Sequence, residues 1–238
     1  MDSGQGASRP TGNRLLDQLS DASWERLAPA LQAVQLARKD IVGERGELAA
    51  HVIFPCGAVL SVLAYMENGA AVEVVTVGHE GMFGIEPLLG GTRWTETTLC
   101  QIEGPALRMS GAAFREALEN DPALRELAQR YVIAYLAVVS QSVACNRLHN
   151  IEQRFARWML MTHDRVDSDS FNLTQEYIAD MLGVHRPSVS LVAGSFQKAG
   201  FIKYVRGTMS ILNREGLEQA SCECYGATQQ AFARLGVA

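Results

Sequence analysis

The residues best suited to binding a charged partner lie between positions 181 and 214. This stretch has five basic residues and no Asp or Glu: Arg186, Lys198, Lys203, Arg206 and Arg214. The whole chain is acidic, with a net charge of −5 over 238 residues. Residues 150–238 are neutral, with nine basic and nine acidic side chains, so the basic stretch is a local feature. Clustered cations of this kind form the footprint that a polyanion such as nucleic acid requires.

The spacing of small and apolar residues at 175–196 predicts the elements that would position these cations. The sequence there is QEYIADMLGVHRPSVSLVAGSF. Ala179 is small where two helices must approach, and Gly183 can adopt the positive φ of a tight turn. We expect the first helix to follow an N-cap at Thr174 and the second to begin near His185. Five side chains should point inward: Ile178, Leu182, Val184, Val189 and Val192. The pattern predicts a helix-turn-helix; the alternative is an ordinary three-helix domain whose charges happen to cluster.

A two-stranded hairpin is predicted directly after the second helix. Residues 200–205 alternate as a strand does, 206–208 form a turn, and 209–212 return. Such a wing lies beside the second helix and contacts phosphates. The candidate phosphate contacts are Lys203, Arg206 and Thr208.

The N-terminal half has a different texture. Short apolar or alternating runs broken by glycine extend over residues 40–109, which is typical of antiparallel strands forming a compact barrel or roll. Short helices are expected at 14–36 and a small one at 111–119. Residues 1–13 begin with a small, polar stretch and are predicted to be a disordered tail.

A long helix is predicted over residues 122–147, because Asp121-Pro122 combines an N-cap with a proline at the first helical position. One stripe has the three-and-four spacing of a coiled coil, and we predict that it forms a dimer interface. This stripe comprises Leu124, Leu127, Tyr131, Ala134, Val138, Gln141, Cys145 and Leu148. A second stripe comprises Val132, Leu136, Val139 and Val143. We expect one face to pack on the roll and the other on a second subunit, the alternative being a helix wholly buried in one monomer.

The cysteines do not predict a disulfide framework, since the five are scattered and lack a CxxC pair. Cys222 and Cys224 could bind a metal, but no third and fourth ligand stands nearby in sequence at metal-site spacing, so no metal is expected. No catalytic constellation or phosphate-cradling loop is evident, which argues against an enzyme. Neither a run of 18 apolar residues nor an export signal occurs, so we expect a cytoplasmic protein that does not bind membranes.

These patterns together predict an α+β protein with four parts. Residues 1–13 are the tail, 14–120 an antiparallel β-roll of the double-stranded β-helix type, 121–149 the dimerisation helix, and 150–238 a C-terminal winged helix-turn-helix. This order resembles the bacterial Crp/Fnr superfamily of transcription regulators. The most specific residues are GHEGMFG at 78–84 and LTQEYIADMLGVHRPSVS at 173–190. The resemblance implies an effector-sensing roll, a homodimer and an inverted-repeat operator in double-stranded DNA, with RNA polymerase as a candidate further partner.

Carried over by position, Arg186 matches the recognition-helix arginine that family members place against guanine, and its guanidinium can donate to O6 and N7 together. Pro187 stands where the family commonly has glutamate, and Leu191 where some members have a second base-reading arginine. We therefore expect an operator unlike the family's best-known consensus. His185, Ser188 and Ser190 remain hydrogen-bonding candidates, although the serines could be ordinary helix-surface residues. Thr174 and Gln175 suit phosphate binding at a helix N-terminus.

The effector pocket departs from the members that bind cyclic AMP. Aligning on Gly84 places Ile85 at the ribose-binding glutamate and Thr95-Glu96 at the phosphate-binding pair. A shifted pocket using Glu86 and Arg93 is the alternative. The cysteine cluster of the oxygen-sensing branch is missing, and haem ligation by a roll cysteine, His51 or His79 is a weaker possibility, so no cofactor is expected.

Two functions remain at this stage. The first is a homodimeric DNA-binding regulator with an unidentified effector or none. The second is a small-molecule binding module, of the cyclic-nucleotide type, that acts mainly through protein contacts. The acid-free segment favours the first.

Overall fold

The structure is a computed structural model that describes residues 11–237. Most of the predicted tail, residues 1–10, lies outside the described residues. The end of that prediction is wrong, because Asn13 is fully buried and its amide donates to the carbonyls of Pro55 and Gly81, each at 2.8 Å. The packed domain therefore includes Asn13. Its side-chain amide joins two segments of the roll, which the composition of the N-terminal stretch does not reveal.

The N-terminal half is the predicted antiparallel roll. It comprises 3₁₀ turns at Leu16–Gln18 and Ala28–Ala30, helix α1 (Asp21–Leu27), strands β1 (Gln32–Leu36), β2 (Ile41–Gly43), β3 (His51–Pro55), β4 (Val59–Tyr65), β5 (Ala71–Val77), β6 (Thr97–Ile102) and β7 (Gly104–Ser110), and helix α2 (Gly111–Asn120). The strands form two antiparallel sheets, ordered β1-β7-β3 and β2-β6-β4-β5. Apolar side chains from both sheets fill one core, including Val52, Phe54 and Leu60.

Helix α3 (Pro122–Leu148) follows the roll and packs along it. The carboxylate of Asp121 accepts hydrogen bonds from the amides of Ala123 and Leu124, so the predicted N-cap is present. The hydroxyl of Tyr131 donates to the carbonyl of Met82 at 2.9 Å and anchors the middle of the helix. The helix is thereby fixed to the roll on one side.

The predicted dimer stripe of α3 lies on that inner side, so its assignment is wrong. Six of its residues are at most 6% exposed within one subunit: Leu124, Leu127, Tyr131, Ala134, Val138 and Cys145. The seventh, Gln141, is half-buried and donates to Cys224 Sγ at 3.0 Å. The last, Leu148, is exposed at the end of the helix. Both faces of the helix have three-and-four spacing, and periodicity does not show which face meets the roll.

The outer face of α3 is bare and apolar. Its large exposed side chains are Ile133 (69%), Leu136 (55%), Val143 (67%) and Leu148 (76%). The alternative of a helix wholly buried in one monomer is therefore also wrong. Leu136 and Val143 belong to the second stripe that the sequence revealed.

The C-terminal part contains α4 (Ile151–His163), β8 (Ser170–Asn172), α5 (Gln175–Leu182), α6 (Arg186–Lys198), β9 (Ile202–Val205), β10 (Thr208–Ile211), α7 (Arg214–Ala220) and α8 (Cys224–Ala233). Its three strands form one antiparallel sheet in the order β8-β10-β9. Strand β8 was not predicted, because three residues with one apolar side chain give no alternating pattern. Helix α8 returns to pack against α3.

Polar contacts join this part to the roll. Arg165 and Glu80 form a buried ion pair at 2.7 Å, and Trp158 Nε1 donates to Glu73 Oε1 at 2.9 Å. Helix α5 packs on β5, and the hydroxyl of Tyr177 donates to Ser61 at 3.2 Å. None of the helices between residues 11 and 237 is both long and apolar enough to cross a membrane.

Candidate nucleic-acid interface

Helices α5 and α6 form the predicted helix-turn-helix. Thr174 caps α5 by accepting a hydrogen bond from the amide of Tyr177 at 3.2 Å, and His185 is the N-cap residue of α6. Between them Gly183 has φ +61° and ψ +43°, a left-handed conformation that glycine adopts without strain. Ile178 and Val189 are fully buried between the helices. Local turn and cap chemistry thus sets the angle at which α6 is presented.

The outward face of α6 carries the predicted base-reading residues. His185, Arg186 and Ser190 are exposed, whereas Ser188 is half-buried. Ser190 is already engaged, because its hydroxyl donates to Gln175 Oε1 at 2.6 Å and so couples two predicted site residues. Arg186 is left as the long cationic side chain at the start of this face.

Leu191 is a further candidate on α6, where it is 77% exposed. It is exposed on the same helix as Arg186 and Ser190. Apolar side chains on a recognition helix contact the thymine methyl group in the major groove. The signal in the sequence is an apolar residue at a position where some family members have a base-reading arginine.

Strands β9 and β10 form the predicted wing. Arg206 and Gly207 have φ +51° and +86°, as in a two-residue hairpin turn. Lys203 and Arg206 are exposed, but the hydroxyl of Thr208 donates to Asn172 at 2.9 Å and so stabilises the sheet. The wing therefore presents two free cations beside α6.

Tyr204 ties the wing to the helix-turn-helix. Its amide donates to Gln197 Oε1 at 2.8 Å, and its hydroxyl donates to the carbonyl of Leu173 at 3.0 Å. Burial raises the pKa of the Tyr204 phenol, while a hydrogen bond with the backbone of Gln175 and the nearby charge of Arg186 oppose that rise. The wing and α6 are thus held as one surface.

Not every cation of the acid-free segment belongs to this surface. Arg214 pairs with Asp164 at 2.6 Å and with Glu218 at 2.9 Å, so it stabilises α7. The exposed cations are Arg186, Lys198, Lys203 and Arg206. Four of the five basic residues therefore remain available to a polyanion.

The roll encloses a second candidate site, a cavity of about 270 Å³. Four predicted effector residues line it: Gly84, Ile85, Glu86 and Thr95. Thr95 donates to Glu86 Oε1 through its amide at 3.1 Å and through its hydroxyl at 2.9 Å. Arg93 is not among them, because it is exposed and donates to the carbonyl of Gly46 at 2.6 Å. The alternative of a shifted pocket that uses Glu86 together with Arg93 is therefore wrong.

The cavity is electrostatically unsuited to a phosphate. Its lining within the described residues includes Glu86 and Glu96 but no Lys, Arg or His. Burial raises the pKa of Glu96; Arg45 opposes this rise and the neighbouring charge of Glu86 adds to it. Leu136 and Tyr135 of α3 close one side, so the cavity borders the bare helix face.

The histidines considered for haem have structural surroundings. His51 packs edge-on against Trp94, and its Nε2 donates to the carbonyl of Val42 at 2.9 Å. Burial lowers the pKa of both His51 and His79. His79 lies at a cavity of about 550 Å³ between the roll and the C-terminal part, beside Glu80 and Arg165. Neither arrangement supports an axial ligand.

The expectation that Cys222 and Cys224 lack further ligands is wrong. The structure brings Cys145 and His149 to them, and the four ligand atoms lie within 4.8 Å of one another. Cys145 and His149 are four residues apart and share a helix face, which is a metal-site spacing. The 72 residues between His149 and Cys222 hide this relation from an analysis of the sequence alone.

Comparison with known proteins agrees with this geometry. Residues 153–220, from α4 to α7, match the family model of the Crp-like helix-turn-helix domain. The match includes all of α5, α6 and the wing, so residues 153–220 form a Crp-like helix-turn-helix domain. A search of curated sequences gave no match.

Solved structures resemble the chain over both halves. A Crp/Fnr-family transcriptional regulator from Eubacterium rectale has a TM-score of 0.68 at 15% identity, over 87% of this chain and 96% of that one. FixK2 from Bradyrhizobium japonicum has a TM-score of 0.69 at 14% identity, over 81% of this chain and 98% of that one. TTHB099, a CRP-family regulator from Thermus thermophilus, has a TM-score of 0.66 at 23% identity, over 79% of this chain and 96% of that one. The chain therefore has the Crp/Fnr fold.

Proposed function

We propose that this chain, with a Crp-like helix-turn-helix domain on a Crp/Fnr fold, is a homodimeric transcriptional regulator that reads an inverted-repeat operator. The observation that carries the proposal is the exposed, acid-free surface of α6 and the wing. Such a surface attracts the DNA backbone, while a helix of this motif enters the major groove. The protein is accordingly a DNA-binding regulator and not an enzyme, and we expect it to act in the cytoplasm.

Each residue of the surface has a proposed role. Arg186 donates to guanine O6 and N7, and Leu191 contacts a thymine methyl group. Lys203 and Arg206 neutralise phosphates, and Gln175, held by Ser190, donates to a phosphate near the N-terminus of α5. Thr174 and Thr208 have secondary roles, because a capping bond and a sheet bond engage their hydroxyls. His185 and Ser188 provide further hydrogen-bonding groups at the start of α6.

The second subunit is proposed to bind the bare face of α3. Exposed leucine, isoleucine and valine in a repeating stripe lose their contact with water when a second copy covers them. A two-fold axis along this helix would give two recognition helices, about 34 Å apart in successive major grooves. The operator would then be an inverted repeat.

An effector for the roll cavity would be largely apolar and would carry hydrogen-bond donors toward Glu86 and Glu96. These carboxylates replace the cation that a phosphate requires, so a cyclic nucleotide is disfavoured. RNA polymerase remains a further proposed partner.

Gel shifts with genomic fragments at two salt concentrations test the proposal. We expect retained fragments and a steep loss of affinity with salt, because phosphate neutralisation releases counterions. Arg115→Ala provides a matched control, since it removes one exposed positive charge on α2, far along the chain from the surface. Binding that ignores salt, or that Lys203→Ala and Arg115→Ala reduce equally, would favour the alternative of a ligand-binding module acting through protein contacts.

A further inference from the structure

Three cysteines and one histidine meet where the long helix ends. Cys145 lies in the last turn of α3 and His149 is its C-cap residue. Cys224 is the first residue of α8, and Cys222 directly precedes Glu223, the N-cap residue of that helix. Cys145 Sγ is 3.5 Å from Cys222 Sγ, and Cys224 Sγ is 3.4 Å from His149 Nδ1. The four ligand atoms all lie within 4.8 Å of one another.

These separations match a tetrahedral site. With zinc–sulfur bonds of about 2.3 Å, two sulfurs of a tetrahedron lie about 3.8 Å apart. The 3.5 Å separation of Cys145 and Cys222 is close to that value and far from the roughly 2.05 Å of a disulfide bond. Ligand atoms packed this closely can all reach one ion.

The surroundings orient the ligands. His149 Nε2 lies 3.1 Å from a carboxylate oxygen of Glu223, so the proton sits on Nε2 and Nδ1 is free to face the sulfurs. A histidine that binds zinc through one ring nitrogen commonly donates a hydrogen bond from the other nitrogen to a carboxylate, which fixes the orientation of the ring. The amide of Gln141 also donates to Cys224 Sγ at 3.0 Å. All three cysteines are buried, as in closed structural sites.

The charge beside the cluster is also complementary. Three thiolates and one divalent ion carry a net charge of −1. Arg157 is buried, interacts electrostatically with Cys145, and donates to the hydroxyls of Ser142 and Thr228. Among residues 11–237 no carboxylate lies within ion-pair distance of Arg157. An anionic metal centre would supply the counter-charge that a buried guanidinium needs.

We propose that Cys145, His149, Cys222 and Cys224 bind one zinc-type divalent ion per subunit. The ion would fasten the end of α3 to α8 beside the break between α3 and α4. It would therefore fix the direction in which the Crp-like domain leaves the long helix, and this role does not depend on which DNA sequence is read.

The test uses full-length protein that has been reduced and treated with a chelator. Titration with Co²⁺ should give thiolate-to-cobalt absorption and tetrahedral d–d bands that saturate at one equivalent per subunit, and Zn²⁺ should abolish them. Cys222→Ser and Cys145→Ser should each lose or strongly weaken this signal. Cys56→Ser is the matched control and should keep it, because Cys56 lies in the roll.

The wild-type protein alone can overturn the proposal. Failure to take up one equivalent of Co²⁺ with a thiolate signature would do so, whatever the variants show. A signal that survives both serine substitutions would also exclude this site. Mass spectrometry that finds Cys145 and Cys222 joined in freshly isolated protein would replace it with a disulfide. If the variants fail to fold, a rise in the wild-type Tm with added Zn²⁺ still supports binding to the folded state.

Discussion

Helices α3 and α6 each have one covered face and one bare face, but their bare faces differ in chemistry. The bare face of α3 presents Ile133, Leu136 and Val143, whereas that of α6 presents Arg186 beside Leu191. A bare apolar stripe is stabilised by another apolar surface, and a bare basic face by an anion. One molecule therefore presents two separate surfaces of different chemistry, and we propose that the first serves its own copy and the second DNA.

The largest effect is expected inside α3. Val138→Asp places an unpaired carboxylate where the side chain is 1% exposed, so it should destabilise the fold by roughly 3–5 kcal/mol. Chemical denaturation measures this loss. A variant that stays as stable as the wild type would show that Val138 is not on the covered face.

On the bare face the same kind of change should leave the fold intact. Leu136→Asp keeps its charge in water within one subunit, so we expect folded monomers with strongly reduced operator affinity. Sedimentation gives the oligomeric state and circular dichroism gives the fold. An unchanged dimer for Leu136→Asp and Val143→Asp together would remove this face as the interface.

Substitutions on the bare face of α6 and on the wing should distinguish base reading from phosphate binding. Arg186→Ala should cost roughly 1–3 kcal/mol of operator affinity and flatten the preference at one base pair per half-site. Lys203→Ala should weaken all sequences alike and lower the salt slope by roughly one per lost contact per subunit. Equal losses of specificity from both variants would contradict the division of roles.

A smaller effect is expected at the start of α3. Burial alone would raise the pKa of Asp121, but hydrogen bonds from Ser23 and Arg26 and from the helix amides lower it to about 2. Asp121→Ala should therefore cost roughly 0.5–2 kcal/mol at neutral pH through the lost cap. Since a lowered pKa stabilises only the ionised form, the ion-pair part of this cost should vanish as the pH falls from about 4 toward 2.

Asp121→Asn is the control for that experiment. Asparagine still accepts the amide hydrogen bonds of the cap but lacks the charge that pairs with Arg26 at 2.6 Å. It should therefore lose less stability than the alanine variant at neutral pH. An identical pH dependence of unfolding in wild type and Asp121→Asn would show that the carboxylate pKa is not lowered.

No effect at all is expected from cyclic AMP. Its phosphate would meet Glu86 and Glu96 in a cavity without a cation among its described lining residues. Calorimetry at millimolar nucleotide should give no signal, and operator affinity should not change. Micromolar binding would mean that a cation such as Arg93 moves into the cavity, and Arg93→Ala would then abolish it.

The bare face of α6 could be predicted from sequence, but that of α3 could not. Caps at Thr174 and His185 and the turn at Gly183 are local signals, so they determine the helix-turn-helix without the rest of the chain. The covered face of α3 depends on which stripe the roll contacts, and that contact is not local. The same limit applies to the cysteine cluster, whose halves are far apart in sequence.

Within the roll, the strands followed from alternation and glycine spacing, but the cavity lining did not. Arg93 is seven residues from Glu86, yet the backbone turns it outward to Gly46. Strand β8 forms because Phe171 pairs across to Met209, a contact that a three-residue segment cannot signal alone. The cavity lining and strand β8 therefore depend on contacts between residues far apart in the sequence, which local propensity does not predict.

The buried ion pair of Arg165 and Glu80 couples the roll and the C-terminal part during thermal unfolding. Separating the roll from the C-terminal part would break this ion pair and the Trp158–Glu73 hydrogen bond, and it would expose Leu63 of β4, which packs in the core of the C-terminal part, to water. Such a cost exceeds what a flexible tether between independent domains imposes. The two halves should therefore unfold together in a single cooperative transition, and a lesion in the roll would lower the thermal stability of the helix-turn-helix as well.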